Sequence, residues 1–173
     1  MVATRNEEWG DKLKSIQVSF GAVLGPQDSW LLMRGIKSLA ARMEIQQRNA
    51  EVIASWLSEQ PEVKKVYYPG LPSHPGRDLH FRQASGPGAV ISFELANAEG
   101  TRSFLRSVTL PLLAPSLGGV ESILSYPSAM SHAFVPPEER LARGVTDSLV
   151  RLSVGLEDPE DMIADFHQAL RKG

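Results

Sequence analysis

The stretch Leu149–Phe166, LVRLSVGLEDPEDMIADF, holds a strand, a turn and a helix start in one run. In Leu149–Val154, the side chains of Val150, Leu152 and Val154 alternate onto one face, and Leu149, Arg151 and Ser153 onto the other. Asp158-Pro159-Glu160-Asp161 then opens a helix: an acid at the N-cap, Pro at the first helical position, and further acids where the helix dipole favours negative charge. Met162, Ile163, Phe166 and Leu170 recur at helical steps and form its buried stripe, while Arg171 and Lys172 suit its C-terminal end. A strand that buries one face, followed by a helix that buries one stripe, reads as a sheet covered by helices. The fold class is α/β, with an α+β small domain.

The same reading extends upstream. Ala89–Leu95 is a strand with Ala89, Ile91, Phe93 and Leu95 on one face. Val63–Tyr68 reads as a strand ending in the turn residues Pro69-Gly70-Leu71-Pro72. Helices are expected over 77–84 and 98–107 and from Pro136-Pro137, with short strands near 109–113 and 120–126. Ahead of this domain, Asn6 caps a helix over 6–18, and Gly21–Pro26 breaks the pattern. A long helical stretch runs from Asp28 to Gln60, interrupted near Gly35. Leu39, Met43, Ala50, Ile53 and Leu57 lie along one face of it.

Composition narrows the classes. The 173 residues hold 18 basic and 20 acidic side chains, a net charge of -2, which is no footprint for nucleic acid or an anionic membrane. Cysteine is absent, so disulfides, thiolate metal sites and thiol catalysis are excluded. The four histidines are scattered without helical pairing, and no metal site is expected. No apolar run approaches the roughly 20 residues of a membrane span, and the first residues lack a signal-peptide core. The expected location is the cytoplasm.

Arg151 stands out. An arginine centred in so apolar a strand needs a partner, because an unpaired buried charge is costly. A ligand carboxylate, gripped by the guanidinium fork, is one partner; a structural salt bridge, or an edge strand with Arg in solvent, are the others. Ser116-Leu117-Gly118-Gly119 is a second candidate. Its glycines let backbone approach a ligand, and Ser116 offers a hydroxyl or a carbonyl, although local evidence favours a plain tight turn between strands. Tyr126–His132 could form a loop beside the same site. Glu157-Asp158 reads as a helix cap rather than an acid–base pair. Gly86-Pro87-Gly88 precedes a strand, so it lacks the context of a phosphate loop.

Six strings, taken together and in order, resemble the C-terminal part of the Cys/Met-metabolism enzymes that use pyridoxal phosphate (PLP), the cystathionine β-lyase, γ-synthase, γ-lyase and methionine γ-lyase group. They are Gly21–Met43, Val66–Pro75 (VYYPGLPSHP), Gly88–Leu95 (GAVISFEL), Ser116–Ser122 (SLGGVES), Tyr126–His132 (YPSAMSH) and Leu149–Phe166. The resemblance implies the C-terminal domain of a fold-type-I PLP-dependent transferase-like enzyme. Residues 1–25 would be a remnant of the large PLP domain, 26–60 a connector helix, and 61–173 the small C-terminal domain. It also implies that Arg151 grips the substrate α-carboxylate, with Ser116 and Leu117 assisting. Tyr126-Pro127 stands where the family usually has His-Pro, and Gly88-Ala89 where it has Gly-Gly.

No lysine of this sequence sits in the family's Ser-x-Thr-Lys context. The resemblance therefore implies PLP in the full-length enzyme but none bound by this chain, and no catalytic residue within it. The expected function is that of a C-terminal fragment of a C–S lyase or transsulfuration enzyme acting on Cys/Met-type amino acids. A cystathionine β-lyase is the first choice, a γ-synthase or γ-lyase the next, and the isolated chain is expected to be inactive. The alternatives are a standalone binding or assembly module and one half of a split enzyme. Apolar surface on the first 60 residues predicts a homodimer or higher oligomer.

Overall fold

The computed structural model describes residues 2–172, in two compact units, one ending at Ala40 and the other beginning at Ala41. The first unit holds α1 (Glu7–Phe20) and α2 (Pro26–Lys37). Asn6 caps α1 as expected, its side chain accepting from the Trp9 N–H at 3.0 Å. Gly21, at φ 65, ends the helix in a left-handed turn that glycine adopts without steric cost. The next helix starts at Pro26, two residues before Asp28. The break in the long helical stretch falls at Ser38, not Gly35. Gly35 stays helical because an isolated glycine costs a helix only about 1 kcal/mol.

The helix α3 (Leu39–Ser58) runs on into the second unit, followed by β1 (Val63–Tyr67), α4 (Arg77–Gln83), β2 (Val90–Leu95), α5 (Ala98–Ser107), β3 (Leu112–Leu113), β4 (Ile123–Ser125), α6 (Pro137–Ala142), β5 (Leu149–Ser153) and α7 (Pro159–Leu170). The strands form one sheet in the order β1-β2-β5-β4-β3, antiparallel except for β3 with β4. The motif strand β5 is thus central.

The alternation read from sequence sets the two faces. Ile91, Phe93, Val150, Leu152 and Leu124 are fully buried against α3, α5 and α7. At the centre Phe93, Phe104 and Phe166 stack edge-on or tilted, with ring centroids 5.2 to 6.3 Å apart. In α3 the predicted face is only partly right. Leu39 is exposed, and the buried positions include the amides Gln46 and Asn49. They are tolerated because both are hydrogen-bonded: Gln46 Nε2 donates to the Gly119 carbonyl at 2.7 Å and Asn49 Nδ2 to the Glu157 carbonyl at 2.9 Å.

In α7, Asp158 caps the first turn by accepting from the Glu160 N–H. Asp165, an acid on its buried face, receives the N–H groups of Thr109 and Leu110 and the Thr109 hydroxyl at 2.8 to 3.1 Å. It thereby closes the segment that leaves α5. No helix among the described residues is long and apolar enough to cross a membrane.

Candidate functional site

The polar face of the sheet carries a row of residues set by register. Tyr67 pairs with Ser92, Ser92 with Arg151, and Arg151 with Ser125. Facing partners in a ladder share a sheet face, so Arg151 lies in the middle of this row. It is neither on an edge strand nor in an ion pair among the described residues. Two of the structural explanations left open by the sequence are thereby removed.

The guanidinium is held from one side. Nη2 donates to the Ser116 carbonyl at 3.0 Å and to Ser125 Oγ at 2.9 Å, which uses both of its hydrogens. Nε is buried and has no partner among the described residues. A buried donor without an acceptor costs about 1–3 kcal/mol unless something answers it. A carboxylate spanning both amino groups would have to share Nη2 with Ser116 or Ser125.

The Ser116–Gly119 loop lies against the same face and is pinned at several points. The Gly118 N–H donates to Ser153 Oγ at 2.9 Å, and the Gly119 carbonyl accepts from Gln46. Gly118 has φ 83, a conformation that favours glycine. Ser116 serves Arg151 through its carbonyl, and Leu117 is exposed. The loop is therefore more than a plain turn, because it supplies an acceptor to Arg151.

Glu157 is not the helix cap; Asp158 alone has that role. The Glu157 carboxylate reaches back to the N–H and hydroxyl of Ser122, at 2.6 and 2.8 Å. The Gly155 N–H donates to that hydroxyl at 2.8 Å. His132 hydrogen-bonds Ser131, and Tyr126 donates through its hydroxyl to the Asp147 carbonyl; neither bonds to Arg151. Sequence reasoning missed Ser125 and Gln46, gave Ser153 a face but no role, and read Glu157 as part of a cap. Ser153 left a signal, since it shares the Arg151 face two residues on. Ser125 left none, because only strand pairing places it there.

Of the groups gathered here, the guanidinium N–H donors are of the kind that pair with a carboxylate. The sheet lysines are engaged elsewhere, Lys64 with the Glu94 carboxylate at 3.8 Å and Lys65 over the Tyr67 ring.

The chain belongs to the Cys/Met metabolism PLP-dependent enzyme family, whose model matches residues 1–171. It is 51% identical over 172 residues to the cystathionine beta-lyase MetC of Bacillus subtilis (strain 168), covering 99% of this chain and 44% of that protein. It is 50% identical over 170 residues to the cystathionine gamma-lyase of the same organism, covering 98% and 45%. Among solved structures, cystathionine gamma-lyase from Lactobacillus plantarum complexed with L-serine superposes with a TM-score of 0.92 at 39% identity, covering 98% of this chain and 45% of that one. Cystathionine gamma synthase from Xanthomonas oryzae pv. oryzae in complex with cystathionine gives 0.92 at 40%, covering 98% and 44%. The chain spans less than half the length of the relatives it matches. The fold expected from the resemblance is the fold observed.

Proposed function

We propose that this chain supplies the substrate-carboxylate side of a PLP-dependent C–S lyase of the cystathionine β-lyase type, with γ-lyase or γ-synthase chemistry as the next choice. The observation that carries this reading is Arg151: central in the sheet, without an acidic partner, and with a buried Nε that no described residue answers. Ser116 and Leu117 border the same site from the loop. Arg151 orients an amino-acid substrate by its carboxylate, a contribution of proximity and orientation. When bound, PLP supplies the electron sink for breaking the C–S bond. In this reading residues outside the chain hold the cofactor, and the chain alone is inactive. Residues 1–25 continue the cofactor domain, 26–60 connect, and 61–173 form the small domain.

The test joins this chain to the complementary segment of the Bacillus subtilis cystathionine beta-lyase and measures turnover of L-cystathionine. Arg151→Ala is expected to lower kcat/KM about a hundredfold or more, the scale of removing one member of a desolvated charge pair. Turnover unchanged by that substitution would overturn the reading.

A further inference from the structure

The guanidinium of Arg151 has a second, less obvious determinant. Ser125 lies directly opposite it on β4 and is 2% exposed. Its hydroxyl donates to the Ala114 carbonyl at 2.7 Å. A hydroxyl has one hydrogen, so once that is committed only its lone pairs remain for Arg151. The direction of the relay is thereby fixed: Arg151 Nη2 donates to Ser125 Oγ, and Ser125 Oγ donates to Ala114 O. Ala114 is itself tied to the sheet, its N–H donating to the Leu124 carbonyl at 2.9 Å. Ser92 faces Arg151 equally directly from β2 but makes no hydrogen bond to it.

We infer that Ser125 is the positioning residue of Arg151, holding Nη2 against the Ser116 carbonyl and so fixing the plane in which the guanidinium meets an incoming carboxylate. The role of that carboxylate rests on the function proposed above; the positioning does not. Two acceptors on one amino group lock rotation about the Cζ–Nη2 bond. With one acceptor removed, the remaining bond to an exposed loop carbonyl cannot hold the group alone.

The experiment is guanidinium NMR on the 173-residue chain labelled with 15N-arginine. The Arg151 signals are assigned by their disappearance in Arg151→Lys. The wild-type chain is expected to show two separate Nη2 hydrogens. In Ser125→Ala they merge, with rotation faster by about tenfold or more, the effect of losing one charge-assisted hydrogen bond. Ser125→Thr keeps the hydroxyl and keeps the two signals apart, as does the control Ser92→Ala. Should Ser125→Ala not fold by circular dichroism, Ser125→Cys replaces it, since sulfur is a weak acceptor of similar size. Two resolved hydrogens persisting in Ser125→Ala or Ser125→Cys, or merged ones in the wild type, would overturn the assignment. No carboxylate enters the measurement, so its failure is distinct from failure of the proposed function.

Discussion

The Glu157 carboxylate takes both the backbone N–H and the hydroxyl of Ser122, at 2.6 and 2.8 Å. This one contact ties the segment after β5, the strand of Arg151, to the segment that follows the Ser116–Gly119 loop. The two halves of the candidate site lie about thirty residues apart in the chain, and this clamp joins them alongside the Arg151–Ser116 and Gly118–Ser153 hydrogen bonds.

Replacing Glu157 by Ala removes the acceptor from two donors, the backbone N–H and the hydroxyl of the buried Ser122. Hydrogen bonds to a charged group contribute about 1.5–3 kcal/mol each, and orphaning buried donors adds to the loss. Glu157→Ala is expected to lower unfolding free energy by about 2–4 kcal/mol in urea titrations. Glu157→Gln, which keeps one acceptor oxygen, is expected to lose less.

Gly155 meets the same clamp from the other side. An added Cβ would lie 2.5 Å from backbone atoms of both Glu121 and Ser122, and backbone cannot yield as a flexible side chain does. Gly155→Ala is expected to destabilise by about 1–3 kcal/mol, the range for overpacking. Thermal unfolding of the variant beside the wild type checks this.

Asp165 gives the protein an acid-sensitive joint. Burial pushes its carboxyl upward, but the hydrogen bonds from Leu110, Thr109 and Gln168 outweigh that and hold it below its ordinary value of 3.8. A carboxyl lowered in the folded state contributes stability that is fully present above the unfolded value. That contribution is lost as pH falls through the lower folded value. Asp165→Asn is therefore expected to be less stable than wild type at neutral pH, by about 1–3 kcal/mol. The gap should narrow as pH drops below about 4. A gap of constant size from neutral to strongly acidic pH would contradict this.

Phe93 touches Phe104 and Phe166 at the centre of the core. Phe93→Ala should leave a cavity that the neighbouring rings cannot fill, at about 3–5 kcal/mol. Urea unfolding measures the loss.

Trp9, Phe20, Trp30, Leu31 and Met33 are all more than half exposed in the first unit. Apolar surface of this kind is normally covered by association. The chain is expected to sediment as a dimer or larger species, and a strict monomer at high concentration would contradict it. Titrating the same preparation with PLP, then reducing with borohydride, should give no stoichiometric adduct by intact mass. A single modified lysine would show that the chain makes its own cofactor site.

Local order is legible in the sequence. The alternation of Ile91, Phe93 and Leu95, and of Val150, Leu152 and Val154, determined which face of each strand is buried, because strand side chains alternate with a period of two. Asn6 and the Asp158-Pro159 pair marked helix starts, because free N–H groups there need an acceptor. Arg151 also stands out from its neighbours alone, since a charge amid apolar residues needs an answer. What surrounds it depends on strand pairing and loop closure. The strand order β1-β2-β5-β4-β3 puts Ser125, 26 residues away, opposite Arg151, and brings the Ser116 carbonyl within 3.0 Å. The burial of Gln46 and Asn49 on an otherwise apolar helix face has no local signature either, because their acceptors come from Gly119 and Glu157. Periodicity reports the environment of a residue along its own element. Pairing across elements depends on register and loop closure, which no local pattern encodes.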